Sequence, residues 1–566
     1  MSLVENLEVR PSLRRIYAAR GIKALSELDL GLEHLAPPST LMGVKEAASE
    51  LADAIAGNLK ILIVGDFDAD GATGTALAVQ ALKSFGASDV EYLVPNRFDF
   101  GYGLTPEIVD VAKVKDPKLI VTVDNGISSI DGVTLARNIN IGVIITDHHL
   151  PGPTMPPANV IVNPNQPGCN FSSKYLAGVG VIFYVMLALR VELRERQWFA
   201  MKNIKEPNLA YFLDLVAVGT IADVVTLDYN NRILVEGGLR RIRLGNASPG
   251  VSALIEISGR KSQGIIAADL GFSVGPRLNA AGRLDDMSLG IECLLSSDMS
   301  VARGLVGQLD KLNRDRKTLE AEMTATAEEA LLNIEMGKGG KVSTGIVIYD
   351  PSLHQGIIGI IAGRIKDKFH QPVFVFADSG TDSLKGSGRS IPGIHIRDVL
   401  ESIATRNNAL ITKFGGHAMA AGLSLNKKDL DRFRKSFQIV VDQLMKYLPK
   451  DDFIDSDGEV NPEWFNLSDV RAISMGGPWG QGFPAPIFDG CFKVLSSRRI
   501  ANRHLKFVLE LPDCSRSLDA IAFNVDSDIL VTDPIEKIEI VYRMEINRYR
   551  GSESIQAVIE QISIIN

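Results

Sequence analysis

The chain has 566 residues, 45% of them hydrophobic and 23% charged, and a net charge of −8. That length is too great for one hydrophobic core and predicts roughly three or four domains of ordinary globular composition. The acidic balance does not suggest a nucleic-acid binder, although net charge is a weak guide because a local basic groove matters more than the total. Cys169, Cys293, Cys491 and Cys514 follow no C-x-x-C spacing, which argues against a thiolate zinc site or a disulfide framework. With no signal-peptide pattern and no apolar run of membrane length, a cytoplasmic protein without membrane attachment is expected.

Residues 1–45 read as a helical segment broken at Pro37-Pro38. Lid, brace and spacer are equally compatible with it. Residues 46–295 are expected to form one domain. Its first half alternates strand and helix, with strands at Ile61–Val64, Val90–Val94, Leu119–Val123, Val143–Thr146 and Val160–Val162. Such alternation predicts a parallel sheet with helices on both faces.

Three of these strands run directly into ligand chemistry. The first leads into Asp66, Asp68 and Asp70 of the stretch Asp66-Phe67-Asp68-Ala69-Asp70-Gly71. The third leads into Asp124-Asn125-Gly126 and the fourth into Asp147-His148-His149. A single aspartate after a strand is usually a turn residue or a helix cap. Parallel strands, however, bring their C-terminal ends to one edge, where ligands bind in open α/β sheets. Carboxylates gathered so closely repel one another and call for a cation. Farther on, Asp223 interrupts the apolar run Leu215–Val225, and a charge there needs a partner or a metal. Asp214, at the start of that run, reads more simply as a capping residue. Asp68, Asp70, Asp124, His148 and Asp223, supported by Asp66, Asp147 and His149, can hold two hard cations, Mn²⁺ or Mg²⁺.

A long charged helix is expected over residues 296–340, closed by Gly337-Lys338-Gly339-Gly340. Asn313, Arg314 and Arg316 on it read first as a solvated face. A second α/β lobe follows at 341–450, with strands at Gly345–Tyr349 and Val373–Ala377. It carries Ser387 and Arg389 in Leu384-Lys385-Gly386-Ser387-Gly388-Arg389-Ser390, and His417 behind Gly415 and Gly416. Small residues let backbone approach a phosphate, while serine, arginine and histidine supply donors. Residues 453–566 change character. Five strand-like segments, Phe488–Leu495, His504–Leu511, Ala520–Asn524, Lys537–Asn547 and Ser554–Ile562, predict a small β-barrel of OB type. Arg498, Arg499, Arg503, Lys506, Phe507, Arg548 and Tyr549 interleave cations with rings, the pattern of a platform for single strands.

Taken together, the chain resembles the DHH phosphoesterase superfamily. Asp-Phe-Asp-Ala-Asp-Gly at 66–71, Val-Asp-Asn-Gly at 123–126, Asp-His-His at 147–149 and Ile-Ala-Asp at 221–223 stand in that family's order. Val94-Pro95-Asn96-Arg97, Gly101-Tyr102-Gly103-Leu104, Gly275-Pro276-Arg277-Leu278-Asn279-Ala280-Ala281-Gly282-Arg283 and His354-Gln355-Gly356-Ile357-Ile358-Gly359 narrow the likeness to its bacterial single-strand-specific 5′→3′ DNA exonucleases. The resemblance implies a parallel-sheet DHH domain joined by the long helix to a DHHA1-type substrate-binding domain, then the OB-type barrel. It implies that Asp68, Asp70, Asp124, His148 and Asp223 are direct metal ligands, with Asp124 bridging, and that His149 faces the scissile phosphate beside Asp66 and Asp147. It further implies that Arg97, Arg283, His354, Ser387, Arg389, Gly415, Gly416 and His417 bind substrate, the arginines and Ser387 holding the 5′ phosphate.

The expected activity is two-metal hydrolysis of single-stranded DNA to 5′-mononucleotides, in repair and recombination. A monomer is expected, with a single-strand-binding protein or a helicase supplying substrate. A DHH enzyme acting on small phosphates or nanoRNA is the alternative, and the extra C-terminal barrel counts against it. A binding module with an inactive metal site, acting as a replication scaffold, is the other, and the full ligand set counts against that.

Overall fold

The computed structural model describes residues 9–96, 103–336, 344–407, 409–448, 454–500, 504–511, 516–523, 525, 535–549 and 552–565. Arg97, Arg503, Asn524 and the glycine-rich helix stop at 337–340 lie outside the described residues, as does the side chain of Tyr549. The chain forms two compact units. One comprises residues 1–282, 286–307 and 454–566, and the other residues 283–285 and 308–453.

In the first unit, strands β1 (Ile61–Gly65), β2 (Val90–Leu93), β3 (Leu119–Val123), β4 (Gly142–Thr146) and β5 (Val160–Val162) make one parallel sheet in the order β2-β1-β3-β4-β5. β1 and β3 are buried along their whole length. Continuous β-branched runs of this kind belong in a sheet covered on both faces. The chain steps from β1 to β2 on one side, then crosses to β3 on the other. The C-terminal ends of β1 and β3 therefore flank a topological switch point, the place where α/β sheets bind ligands. The helices Ala69–Ser84, Gly178–Glu195 and Leu213–Ala222 pack against one another beside that edge.

The same unit contains a closed five-stranded barrel of β11 (Phe488–Ile500), β12 (His504–Glu510), β13 (Ser517–Ala522), β14 (Lys537–Tyr549) and β15 (Ser552–Ile565), whose numbers follow the five strands of the second unit. All five predicted strands are present. Phe488, Phe492, Leu509, Ile538 and Tyr542 fill its interior. The N-terminal segment acts as a brace on this part of the chain. From the helix Pro11–Ala19, Ser12 Oγ donates to Asp469 at 2.8 Å and Tyr17 Oη to the Gly476 carbonyl at 2.8 Å. Arg20 grips both oxygens of buried Asp457, each at 2.8 Å.

In the second unit, β6 (Ile346–Tyr349), β7 (Val373–Asp378), β8 (Ser383–Arg389), β9 (Lys413–Gly416) and β10 (Ala420–Asn426) form a mixed sheet in the order β6-β7-β8-β10-β9. Phe374, Phe376, Phe433 and Phe437 cluster on one face of the sheet. Ile346, Ile348, Val373 and Val375 pack on the other, under the helix Ile358–Phe369. The predicted long helix runs from Met299 to Met336, 38 residues. Its Asn313 is buried, and Arg316 bonds Glu320 at 2.9 Å, which also takes Arg364 at 3.1 Å. Arg316 thus serves the packing of this unit in a part-buried ion network, whereas the Arg314 side chain, 71% exposed, lies on the expected solvated face. Among the described residues no helix is long and apolar enough to cross a membrane.

Candidate active site

The acidic stretch after β1 is held by its own helix cap and by two other pieces of chain. Asp68 caps the helix Ala69–Ser84, its Oδ1 accepting the Gly71 N–H at 3.0 Å. Asn279 accepts the Ala69 N–H at 2.8 Å. Gly282, on the same helix as Asn279, lies so close that a Cβ there would meet the Phe67 carbonyl oxygen at 1.8 Å. Asp70 is turned onto the start of the helix Gly178–Glu195: Gly178 N–H donates to its Oδ2 at 2.6 Å and Val179 N–H to its Oδ1 at 2.9 Å. A helix N-terminus is a natural seat for a buried carboxylate.

After β3, Asp124 adopts φ +64°, a left-handed conformation uncommon outside glycine and found at sites where backbone is constrained. Asn125 ties the two flanking strands together, its Nδ2 donating to the carbonyls of Val64 at 3.0 Å and Val123 at 2.9 Å. After β4, buried Asp147 accepts the N–H groups of Ile127, His148 and His149 and holds the His149 ring, Oδ1 to Nδ1, at 2.7 Å. His148 Nε2 reaches Asp124 Oδ1 at 3.0 Å and Asp223 Oδ2 at 3.5 Å. Asp223 caps the end of the helix Leu213–Ala222. Asp214, in contrast, receives the Ser248 N–H at 2.6 Å at the start of the helix Pro249–Ile257. Its role is to hold that helix end.

Three overlapping groups have ligand atoms within 4.8 Å of one another: Asp124 with His148 and His149, Asp70 with His148 and Asp223, and Asp66 with Asp68 and Asp124. The structure therefore gathers all five predicted metal residues and all three supporting ones. Burial, then repulsion from the neighbouring aspartates, pushes the carboxyls of Asp124 and Asp223 well above the usual carboxylate range and Asp70 up to about 7. Burial also opposes the charges on Asp147 and His149, but their mutual attraction outweighs it, holding Asp147 at about 2 and carrying His149 up to about 9. An all-oxygen-and-imidazole donor set with crowded carboxylates fits hard divalent cations.

A stability test follows from these shifts. Asp70 is raised in the folded chain, so its own contribution to the stability of the metal-free protein is fully present at low pH and is lost as pH rises through about 7. Chelation should therefore lower the melting temperature more at pH 8 than at pH 6, and restoring Mn²⁺ should reverse the loss. Equal losses at both pH values would contradict the crowding of charge described above.

In the second unit, Ser387 and Arg389 lie side by side on β8, with Arg389 Nη1 donating to Ser387 Oγ at 3.3 Å. Gly359, at the start of the helix Ile358–Phe369, approaches this pair so closely that a Cβ there would sit 3.0 Å from Ser387 Oγ and 3.1 Å from Arg389 Nη2. Burial lowers the pKa of the Arg389 guanidinium, the mark of a cation held away from water. Arg283 donates to the Gly356 carbonyl at 3.3 Å, and His354 Nδ1 accepts the Gly356 N–H at 3.1 Å. Gly415, Gly416 and His417 belong to the hairpin of β9 and β10, where His417 N–H bonds the Ala420 carbonyl at 2.8 Å.

The barrel requires one correction. Phe507 is 0% exposed and belongs to the barrel core, so its ring has no face to offer a base. Alternation along β12 sends Leu505, Phe507 and Leu509 inward. The exposed ring here is Phe523, 53% accessible and edge-on to His504 at 5.2 Å. Arg498 and Arg499 are exposed on β11, whereas Lys506 pairs with Asp519 at 2.7 Å and Arg548 with Glu553 at 2.9 Å.

Family models match in chain order: the DHH family N-terminal domain over residues 60–220, the DHHA1 domain over 341–443 and the RecJ OB domain over 456–561. The chain is 48% identical to the single-stranded-DNA-specific exonuclease RecJ of Dickeya dadantii, across 99% of this chain and 100% of that one. It belongs to the RecJ family. The Escherichia coli RecJ is 49% identical over 98% of this chain and 96% of its own. The crystal structure of Thermus thermophilus RecJ in complex with Mn²⁺ superposes with a TM-score of 0.80 at 30% identity, covering 100% of this chain and 77% of that one. Its Mg²⁺ complex gives 0.74 at 28% identity. RecJ-family membership also accounts for the barrel and the mixed sheet as parts of one enzyme, which the metal cluster alone would not.

The sequence motifs contain Asn125, Asn279 and Gly282 with no role assigned to them, and Gly178 and Val179 escape sequence reasoning; all five position the acidic residues. The signal was present in Ala177-Gly178-Val179-Gly180, small residues opening an apolar helix.

Proposed function

We propose that the protein is a metal-dependent exonuclease specific for single-stranded DNA, removing 5′-mononucleotides from the 5′ end with Mn²⁺ or Mg²⁺. The observation that carries this reading is the meeting of six carboxylates and two imidazoles at one sheet edge, in a chain that matches named exonucleases over its whole length. Asp68, Asp70, Asp124, His148 and Asp223 hold the cations, with Asp66 beside them. When bound, the cations supply positive charge for the phosphate and acidify water for in-line attack on phosphorus. Asp147 fixes the His149 ring through Nδ1, leaving Nε2 as the nitrogen to donate to a phosphate oxygen. Ser387, Arg389, Arg283 and His354 supply donors for a terminal phosphate, the group that defines a 5′ end, with Arg97 and the Gly415-Gly416-His417 hairpin completing the substrate set. Arg498, Arg499 and the Phe523–His504 pair hold the strand still to be cut. The enzyme acts as a cytoplasmic monomer in repair and recombination, on strands delivered by a single-strand-binding protein or a helicase.

The small-phosphate reading is disfavoured by the full-length match, which includes the barrel. Digestion of one oligonucleotide, labelled at either end and compared with its duplex, is the test. Early release of the 5′ label from the single strand alone is expected. Release from the 3′ end, or equal attack on the duplex, would count against the polarity and the strand selectivity.

His149→Ala is expected to lower kcat by about 10²–10⁴-fold, the usual worth of a positioned proton donor. Asp147→Asn should keep the fold but release the imidazole from its partner, so the alkaline limb of the pH–rate profile should move down by roughly one unit or more. An unchanged limb would remove Asp147 from control of His149.

A further inference from the structure

Phe272 lies outside the chemistry described so far. It is 83% exposed, and among the described residues Phe523 is the only other phenylalanine so classed. Its position is set by rigid neighbours. The segment Leu270–Val274 is a single π-helical turn, a local irregularity often found at functional sites. Both ends of the turn, Leu270 and Val274, are fully buried, so Phe272 is pushed outward from an anchored base.

That base rests on the helix that presents Asp223. A Cβ on Gly271 would lie 3.2 Å from the Ile221 side chain, and one on Gly275 would lie 3.0 Å from Ala222 Cβ. On its other side the turn continues directly into the helix Gly275–Leu284, which carries Asn279 and Gly282 onto the acidic stretch after β1. Phe272 thus belongs to the short piece of chain that bridges the two ends of the metal cluster. Val224, next to Asp223, is 64% exposed and held at φ +60°, a conformation in which a β-branched residue is a genuine outlier. Val224 thus lies exposed at the helix end that presents Asp223, and the exposed ring of Phe272 stands on the turn packed against that same end.

We propose that Phe272 is a positioning residue that stacks on a nucleobase of the single strand near the bond being cut. The inference rests on the exonuclease reading above and extends it by assigning a base contact to a site whose other groups address phosphate. A ring held on a rigid turn offers area at little entropic cost, and every base has a face to stack on, so the contact tolerates all sequences. A paired base, already stacked within a duplex, is not free to use it.

The test uses the full chain with Mn²⁺, comparing wild type, Phe272→Ala and Phe272→Trp. The substrates are a 5′-phosphorylated single strand and the same strand with abasic residues at its first positions. Phe272→Ala is expected to raise KM on the natural strand by between about fivefold and about a hundredfold, with a smaller effect on kcat. Phe272→Trp should retain the wild-type KM. On the abasic strand wild type and Phe272→Ala should be equal, because the partner of the ring is gone. A 2-aminopurine near the 5′ end should be quenched on binding to wild type and less so with Phe272→Ala. Equal losses on both strands, or no loss on either, would overturn the inference alone. Failure of the wild type to cut the natural strand would overturn the exonuclease reading and this inference with it.

Discussion

Asp124→Asn should abolish nuclease activity while making the metal-free protein more stable. The loss of activity follows from position: Asp124 shares ligand-atom groups with His148 and His149, and again with Asp66 and Asp68. Removing its charge weakens both, and a loss of about 10³-fold or more is expected, since several kcal/mol of charge stabilisation corresponds to about three decades of rate. The gain in stability follows from electrostatics. Burial, then Asp70, Asp68, Asp223 and Asp66 in turn, all disfavour the charged form of Asp124. A neutral amide removes that strain. Asparagine is the right substitute because Asp124 sits at φ +64°, where asparagine is tolerated and alanine is not. The melting temperature in chelator should rise by about 2–4 °C for each kcal/mol relieved, and the response to Mn²⁺ should shrink. A variant that lost both stability and activity would indicate that Asp124 is structural, and the metal reading would fall with it.

The same contrast between charge and position explains what the residues disclosed in advance. β1 and β3 were legible because an unbroken β-branched run has one stable home, a covered parallel sheet. The aspartates that follow them were legible because a charge at a strand's end is conspicuous against that run. Asp214 and Asp223 stand nine positions apart on one apolar stretch, yet one caps a neighbouring helix and the other faces the cluster. Sequence pattern favoured that division because Asp214 opens the run while Asp223 interrupts it. Phe507 was misplaced because basic and aromatic residues adjacent in sequence alternate between the two faces of a strand. The parity of Leu505, Phe507 and Leu509 carries the correct side. The support of Asp70 was legible only as small residues opening an apolar helix at Ala177-Gly178-Val179-Gly180. Its donor, Gly178, is 108 residues away, and no local pattern reports which helix end will arrive there.

Gly178→Ala should therefore be among the most damaging single-methyl changes in the protein, despite adding a good helix former. Helix propensity alone argues the other way, since alanine is favoured over glycine by about 1 kcal/mol in a helix interior. Sterics decide the matter. A Cβ at 178 would lie 2.4 Å from Asp124 Cβ and 2.8 Å from its Cα and Cγ, so the obstruction is backbone and the first carbon of a side chain held by its cluster. Neither can swing aside as the end of a long side chain can. The helix Gly178–Glu195 must retreat, and retreat lengthens the 2.6 Å and 2.9 Å bonds that Gly178 and Val179 give to Asp70. Overpacking of this kind costs about 1–3 kcal/mol, which exceeds the propensity gain. Displacing the clustered carboxylates of Asp70 and Asp124 together should lower kcat by about 10²-fold, as misplacement of about 1 Å can. Gly180→Ala, two residues along the same helix, is the control. Its Cβ would meet Leu176 Cδ2 at 3.1 Å, the movable end of a side chain, so near-normal stability and activity are expected. If the two variants behaved alike, glycine at 178 would be a matter of helix propensity, and its close approach to Asp124 would carry no functional weight.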